Sequence, residues 1–233
     1  MSGDAFQGFT KQTASFFRGL KKNNDKAWFT AHREQYDEHA LEPARAFVVA
    51  LGDKLRTIAP GVVADPRVNK SLFRIHRDTR FSHDKSPYKT HMGLWLWEGP
   101  HRGRMENSGF YFHLEPPNIM LGIGLYRFTD TALKNYRIDG AHPVHGRALR
   151  DAVDKLTKKG FAIGGLHYKR VPRSVDPTHP NAELLRHNGL YVGVEMKIPD
   201  AFYTTKLPAF SLRLYKQMLP LHQWLLAFTE RNL

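Results

Sequence analysis

The chain has 233 residues, 41% of them hydrophobic and 24% charged, the balance of a globular protein, with 15 Phe, 9 Tyr and 4 Trp to fill a core. It has no cysteine, which excludes thiol nucleophiles, thiolate metal sites and iron–sulfur clusters. A formal net charge of +13 attracts polyanions at long range, so nucleic acid, nucleotides, phosphorylated metabolites and acidic lipid surfaces all qualify as partners.

Met1-Ser2-Gly3-Asp4 offers neither the basic nor the apolar region of a secretion signal, and runs such as Ala46–Leu51 are too short to span a bilayer. The expectation is a cytoplasmic protein with no membrane partner. Thr10 is placed to cap a helix running to about Leu20, with Ala14, Phe16, Phe17 and Leu20 as its apolar stripe. Asn23-Asn24 breaks it, and Asp25 can cap a second helix carrying Trp28, Phe29, His32 and Tyr36. Pro43 fits the first turn of a third helix, reaching about Ile58, that buries Phe47, Val48, Leu51 and Leu55.

The period then changes from helical to alternating. Strands are expected at Ser71–Arg77, Gly93–Trp97, Gly109–Glu115 and Ile119–Phe128, with turns at Gly99–Gly103 and Glu115–Asn118. Helices are expected at Thr131–Arg137 and Val144–Lys159, and further strands at Phe161–Val171 and Leu190–Ile198, with a short helix at Asn181–Arg186. Pro208–Asn232 reads as a helix interrupted at Pro220. With no repeat and no long linker, residues 1–233 are expected to form a single α+β domain, a mainly antiparallel sheet flanked by N-terminal and C-terminal helices.

One segment stands apart. In Asn69–His91, Lys70, Arg74, Arg77, Arg80, Lys85 and Lys89 face only Asp78 and Asp84 as acids, and Phe73, Ile75, Phe81 and Tyr88 are expected to pin the segment as hydrophobic anchors. On a strand, Phe73 and Ile75 point to the core while Arg74 and His76 share the opposite face. Arginine suits bidentate recognition of phosphate or carboxylate, and histidine can titrate near neutrality. The same residues could instead form an internal Arg–Asp network that pins an irregular loop.

The chain also resembles the family catalogued as domain of unknown function 2461. The resemblance runs through Phe6–Phe9, Asn23-Asn24 with Trp28-Phe29, Tyr36, Ser108–His113, Gly122-Ile123-Gly124, Lys169–Pro172, His179-Pro180 and Leu184-Leu185. It is most specific in Arg77-Asp78-Thr79-Arg80-Phe81-Ser82, followed by Asp84-Lys85 and Pro87-Tyr88-Lys89. Arg173-Ser174 departs from the expected basic residue followed by Gly. The resemblance implies an α+β fold and no settled activity.

Gly122-Ile123-Gly124 lacks the third glycine of a dinucleotide fingerprint; on a strand it leaves a flat floor on which a packed helix is expected to rest. His76-x-Asp78 and His142-Pro143-Val144-His145 carry metal-ligand spacings too common to assign, so no metal site is assigned and the cofactor is left unknown. Tyr111 and His113 alternate onto one strand face, with Glu115 next.

Three functions compete. The first is a pocket for a small anionic ligand, with Arg74, Arg77, Arg80, Lys85, Lys89 and Tyr111 as binding residues and His76, Asp78 and His113 as candidates for proton transfer. The second is a nucleic-acid-binding module, with Trp95 and Trp97 as stacking platforms and a stripe that recruits Lys21, Lys22, Lys158, Lys159, Lys169 and Arg170. The third is a structural or adaptor protein whose arginines are paired internally.

Overall fold

The computed structural model describes residues 5–173 and 175–233. Five strands form one antiparallel sheet, β1 Met92–Glu98, β2 Ser108–Glu115, β3 Asn118–Leu125, β4 Ile163–Leu166 and β5 His187–Lys197, in the order β1-β2-β3-β5-β4. Helices stand at both ends of the chain, so the α+β class and the flanking helices are as expected. No helix among the described residues is long and apolar enough to cross a membrane.

The chain forms two compact units. The first holds the described residues up to Leu96, with Tyr111–Leu121 and Glu195–Arg213; the second holds Trp97–Phe110, Gly122–Val194 and Leu214–Leu233. In the first unit α1, Lys11–Lys22, starts where Thr10 makes a capping box with Thr13, and α2, Lys26–Ala31, where the Asp25 carboxylate accepts the Trp28 N–H. The second helix breaks at His32, whose ring stacks on Trp28 with centroids 3.9 Å apart, and resumes as α3, Arg33–Tyr36. A π-helical turn, Asp37–Leu41, then leads into α4, Glu42–Leu55, with Pro43 in its first turn. A π turn disturbs the regular bonding of its carbonyls; the Thr13 hydroxyl, fully buried, donates to His39 O at 2.6 Å. Phe47 of α4 packs edge-on to Phe112 of β2, 4.9 Å between centroids, and Phe9 stacks on Phe202.

Ser71–Arg77 is not a strand of the sheet. Leu72 bridges Leu94, with Phe73 N–H donating to Gly93 O and Trp95 N–H to Ser71 O; beyond that the chain turns to a different partner. His76 bridges Tyr88, with Arg77 N–H donating to Pro87 O and Lys89 N–H to Ile75 O. The segment is therefore an irregular hairpin with its tip at residues 78–86. Asn24 holds its returning arm by donating to Tyr88 O at 2.9 Å and accepting from Tyr88 N–H at 3.1 Å.

In the second unit α5, Asp130–Ala141, and α6, His145–Thr157, pack with the second half of α7, Leu207–Arg231; Tyr136 stacks on Phe128 and meets Trp224 and Phe228 edge-on. Pro220 does not interrupt α7. Fully buried Tyr215, Met218, Leu221 and Leu225 surround it, and their burial outweighs the lost backbone bond. The expected strand Phe161–Val171 shrinks to β4, because Gly165 sits at φ +104° and the register with β5 shifts between Gly164 and Leu166. The expected helix at Asn181–Arg186 is a single 3₁₀ turn, Leu184–Arg186. The space that Gly124 leaves is filled by the backbone of β5, not by a helix: at φ +140° its missing Cβ would lie 2.3 Å from Leu190 O.

Candidate functional site

Strand β2 sorts its side chains cleanly. Phe110, Phe112 and Leu114 are fully buried, while Tyr111, His113 and Glu115 stand half-buried on the other face. β1 lies beside β2 in the sheet, and a Cβ on Gly93 would sit 3.2 Å from the Tyr111 hydroxyl. Two residues back along β1 and two forward along β2, in an antiparallel pair, bring His91 beside His113. Their ring centroids are 4.5 Å apart.

The contacts around this pair are directional. The Tyr111 hydroxyl bonds His113 Nδ1 at 2.9 Å, and His113 Nε2 lies 3.7 Å from Glu115 Oε2. The other carboxylate oxygen, Oε1, accepts from Lys21 Nζ at 3.0 Å. One ligating atom from each of His91, His113 and Glu115 falls within 4.8 Å of the others. Burial, with His113 alongside and Lys89 and Arg77 nearby, pushes the His91 imidazolium down to about 4. Burial lowers His113 as well, against the opposing pull of Glu115. Lys21 holds the Glu115 carboxyl below its ordinary range. At neutral pH the site therefore presents two uncharged imidazoles and one carboxylate. His91 also lines a cavity of ≈ 20 Å³, the room of one water molecule, with Tyr36, Ala40, Leu41 and Phe73.

The basic hairpin is held largely by its own residues. Arg77 bonds Asp84, Ser86 Oγ at 2.8 Å and Ser82 Oγ at 3.4 Å. Arg80 grips Asp78 through Nε at 3.0 Å and Nη2 at 2.7 Å, and Lys85 caps Thr79 O at 3.0 Å. Lys89 donates to Arg74 O at 2.9 Å and lies 5.4 Å over the Phe73 ring. Arg74 and His76 are exposed, unlike Phe73 and Ile75, and the His76 ring lies 5.1 Å from the Tyr88 ring. Of the expected site residues, Tyr111 and His113 meet directly, and Arg77 and Lys89 lie within electrostatic reach of His91. Arg80, Lys85 and Asp78 sit in the tip and satisfy one another and its backbone.

Two side chains expected to be available or anchored are the reverse. Phe81, read as an anchor, is 94% exposed, and Trp95, read as a stacking platform, is buried. His142 and His145 do stack, 4.4 Å between centroids, but His142 Nδ1 accepts from the Val144 N–H and His145 turns to Asp139 at 3.5 Å. In the second unit, Ser108 Oγ lies 2.9 Å from His222 Nδ1 and His222 Nε2 lies 2.8 Å from Glu98 Oε2. All three are buried, which closes this serine–histidine–glutamate line to any substrate. A cavity of ≈ 250 Å³ in the same unit is lined by His101, Glu106, Arg127, Thr129, Asn135 and Asn232 among others.

His91 is the site residue that sequence reasoning missed, and Glu115 was placed beside the site without a role. Glu115 follows the Tyr111–His113 alternation and was within reach; His91 depends on cross-strand register, which no local pattern carries.

The fold and this face define an α+β protein with a histidine–histidine–carboxylate cluster on a half-buried sheet surface. The chain belongs to the conserved hypothetical protein family DUF2461, whose family model matches residues 12–224. No curated protein matches the chain.

Proposed function

We propose that this protein binds a small anionic ligand, carrying phosphate or carboxylate, on the sheet face formed by His91, Tyr111 and His113. The observation that carries the reading is the pair of cations, Lys89 and Arg77, whose positive field reaches His91 against that of the Glu115 carboxylate. An anion placed there gains that field, together with the His91 N–H and the one spare proton of the hydrogen-bonded Tyr111–His113 pair as donors. Asp84 fixes Arg77 and the Arg74 carbonyl fixes Lys89, so both cations are oriented before a ligand arrives.

The test is calorimetric titration of the protein with inorganic phosphate and with citrate, at low and at physiological salt. Lys89→Ala is expected to weaken binding at least about tenfold, the lower end for one charge-assisted hydrogen bond. Arg80→Ala and Lys85→Ala, in the tip, are expected to leave it unchanged. Equal losses from tip and face variants would show general charge attraction and defeat the assignment.

A second reading, nucleic-acid binding, has one specific observation in its favour. Phe81 is almost wholly exposed, and the Arg80 guanidinium lies 5.8 Å over its ring, a pairing suited to stacking on an unpaired base. Fluorescence polarisation with labelled single-stranded oligomers separates the two. Binding that persists at high salt and is lost in Phe81→Ala would favour this second reading.

A further inference from the structure

The same face carries a feature that anion binding alone leaves unexplained. His113 and Glu115 are two apart on β2, His91 lies across from them just before β1, and one ligating atom from each falls within 4.8 Å of the others. At metal–ligand distances of about 2.1 Å, a tetrahedral ion holds its ligand atoms about 3.4 Å apart. The 3.7 Å between His113 Nε2 and Glu115 Oε2 is close to that, and small rotamer adjustments would draw His91 in from the wider spread.

The surroundings match what ligating side chains need. Tyr111 occupies His113 Nδ1, which fixes the ring and leaves Nε2 for an ion. Lys21 occupies one oxygen of Glu115 and leaves the other facing His113. The Glu115 side chain is 40% exposed and that of His113 19%, so the cluster opens to solvent on the Glu115 side.

We infer that His91, His113 and Glu115 hold a divalent first-row transition ion with a coordination position open to solvent or to an anion. Two imidazoles and one carboxylate suit zinc, cobalt or ferrous iron over calcium or magnesium, which prefer all-oxygen sites. Three protein ligands leave the fourth position of a tetrahedral ion free. The inference rests on the anion-binding reading only for the identity of that fourth ligand.

The experiment is titration of the untagged full chain with Co2+, read by its visible ligand-field absorption, and with Zn2+ in competition against a chromophoric chelator, both at pH 7.5. One equivalent is expected to bind. His91→Ala, His113→Ala and Glu115→Gln should each weaken it at least about a hundredfold, and Tyr111→Phe about tenfold, as expected for an outer hydrogen bond. Far-UV circular dichroism checks that each variant is folded, and His142→Ala serves as a histidine control that should bind as the parent does. Absence of stoichiometric binding, or binding that survives both His91→Ala and His113→Ala, overturns the inference. Adding inorganic phosphate separates the two proposals. A spectrum that shifts with phosphate supports both. Cobalt binding indifferent to phosphate sustains the metal site and removes the anion from it. Phosphate binding without any metal binding leaves the anion reading standing alone.

Discussion

The burial of His91 has a measurable cost in acid. Its imidazolium is pushed from 6.5 to about 4 in the folded chain, so between those values the unfolded chain binds the proton and the folded chain does not. Stability therefore falls as pH falls, with the loss beginning near 6.5 and complete below 4. Unscreened, the full difference would correspond to about 3 kcal/mol; the ring is only half-buried and water screens part of it, so the part lost by pH 5 is about 1 kcal/mol. For a chain of this size that is a drop in Tm of roughly 2–4 °C. His91→Gln removes the titration, so the difference in Tm between pH 7.5 and pH 5 should shrink by that amount, whatever the variant's absolute stability. Differential scanning calorimetry at the two pH values, with chelator present, measures it. The depressed carboxylates Asp78, Asp84 and Glu115 act in the same direction, but most of their loss comes at lower pH. A His91→Gln variant with the parent's full pH dependence would refute the claim that His91 is neutral and half-buried in the fold.

Other outcomes follow from the same contacts. His222→Leu removes the imidazole that bonds both Ser108 and Glu98 in the interior and should cost about 3–5 kcal/mol in urea unfolding, against about 1 kcal/mol for Ser108→Ala. Similar small losses from both would mean that the buried line contributes little. Arg77→Ala removes the side chain that gathers Asp84, Ser86 and Ser82, and limited proteolysis should then cut first within residues 78–86. Phe81→Ser, at a position 94% exposed, should change stability by no more than about 0.5 kcal/mol in thermal melts.

What the sequence discloses here divides along physical lines. Helix starts are written locally: Thr10 and Asp25 cap as their types predict, and the buried face of α4 follows its spacing. The β2 alternation is equally local, and it placed Tyr111 and His113 on one face. The segment 71–77 misled because alternation shows which face a side chain takes, not which strand it pairs with. Phe73 and Ile75 stay more buried than Arg74 and His76 although the chain changes partner midway. Phe81 misled because a hydrophobe among charges was read as an anchor, whereas the ion pairs Arg77–Asp84 and Arg80–Asp78 hold the tip and leave it outside. The pairing of His91 with His113 was beyond reach without the register of β1 against β2.

The π-helical turn at Asp37–Leu41 also has a bearing on how relatives of this chain should be aligned. Such a turn is what an α-helix becomes when it gains a residue without losing its ends. Here the disturbed His39 carbonyl is served by Thr13, twenty-six positions earlier. A relative with one residue fewer in this stretch would run an unbroken α-helix and have no use for a buried hydroxyl in α1. Length at one site and residue type at the other should then change together: Thr or Ser with the longer form, Ala or Val with the shorter. An alignment that places the gap elsewhere would scatter that correlation, so residue 13 offers a check on where the insertion belongs.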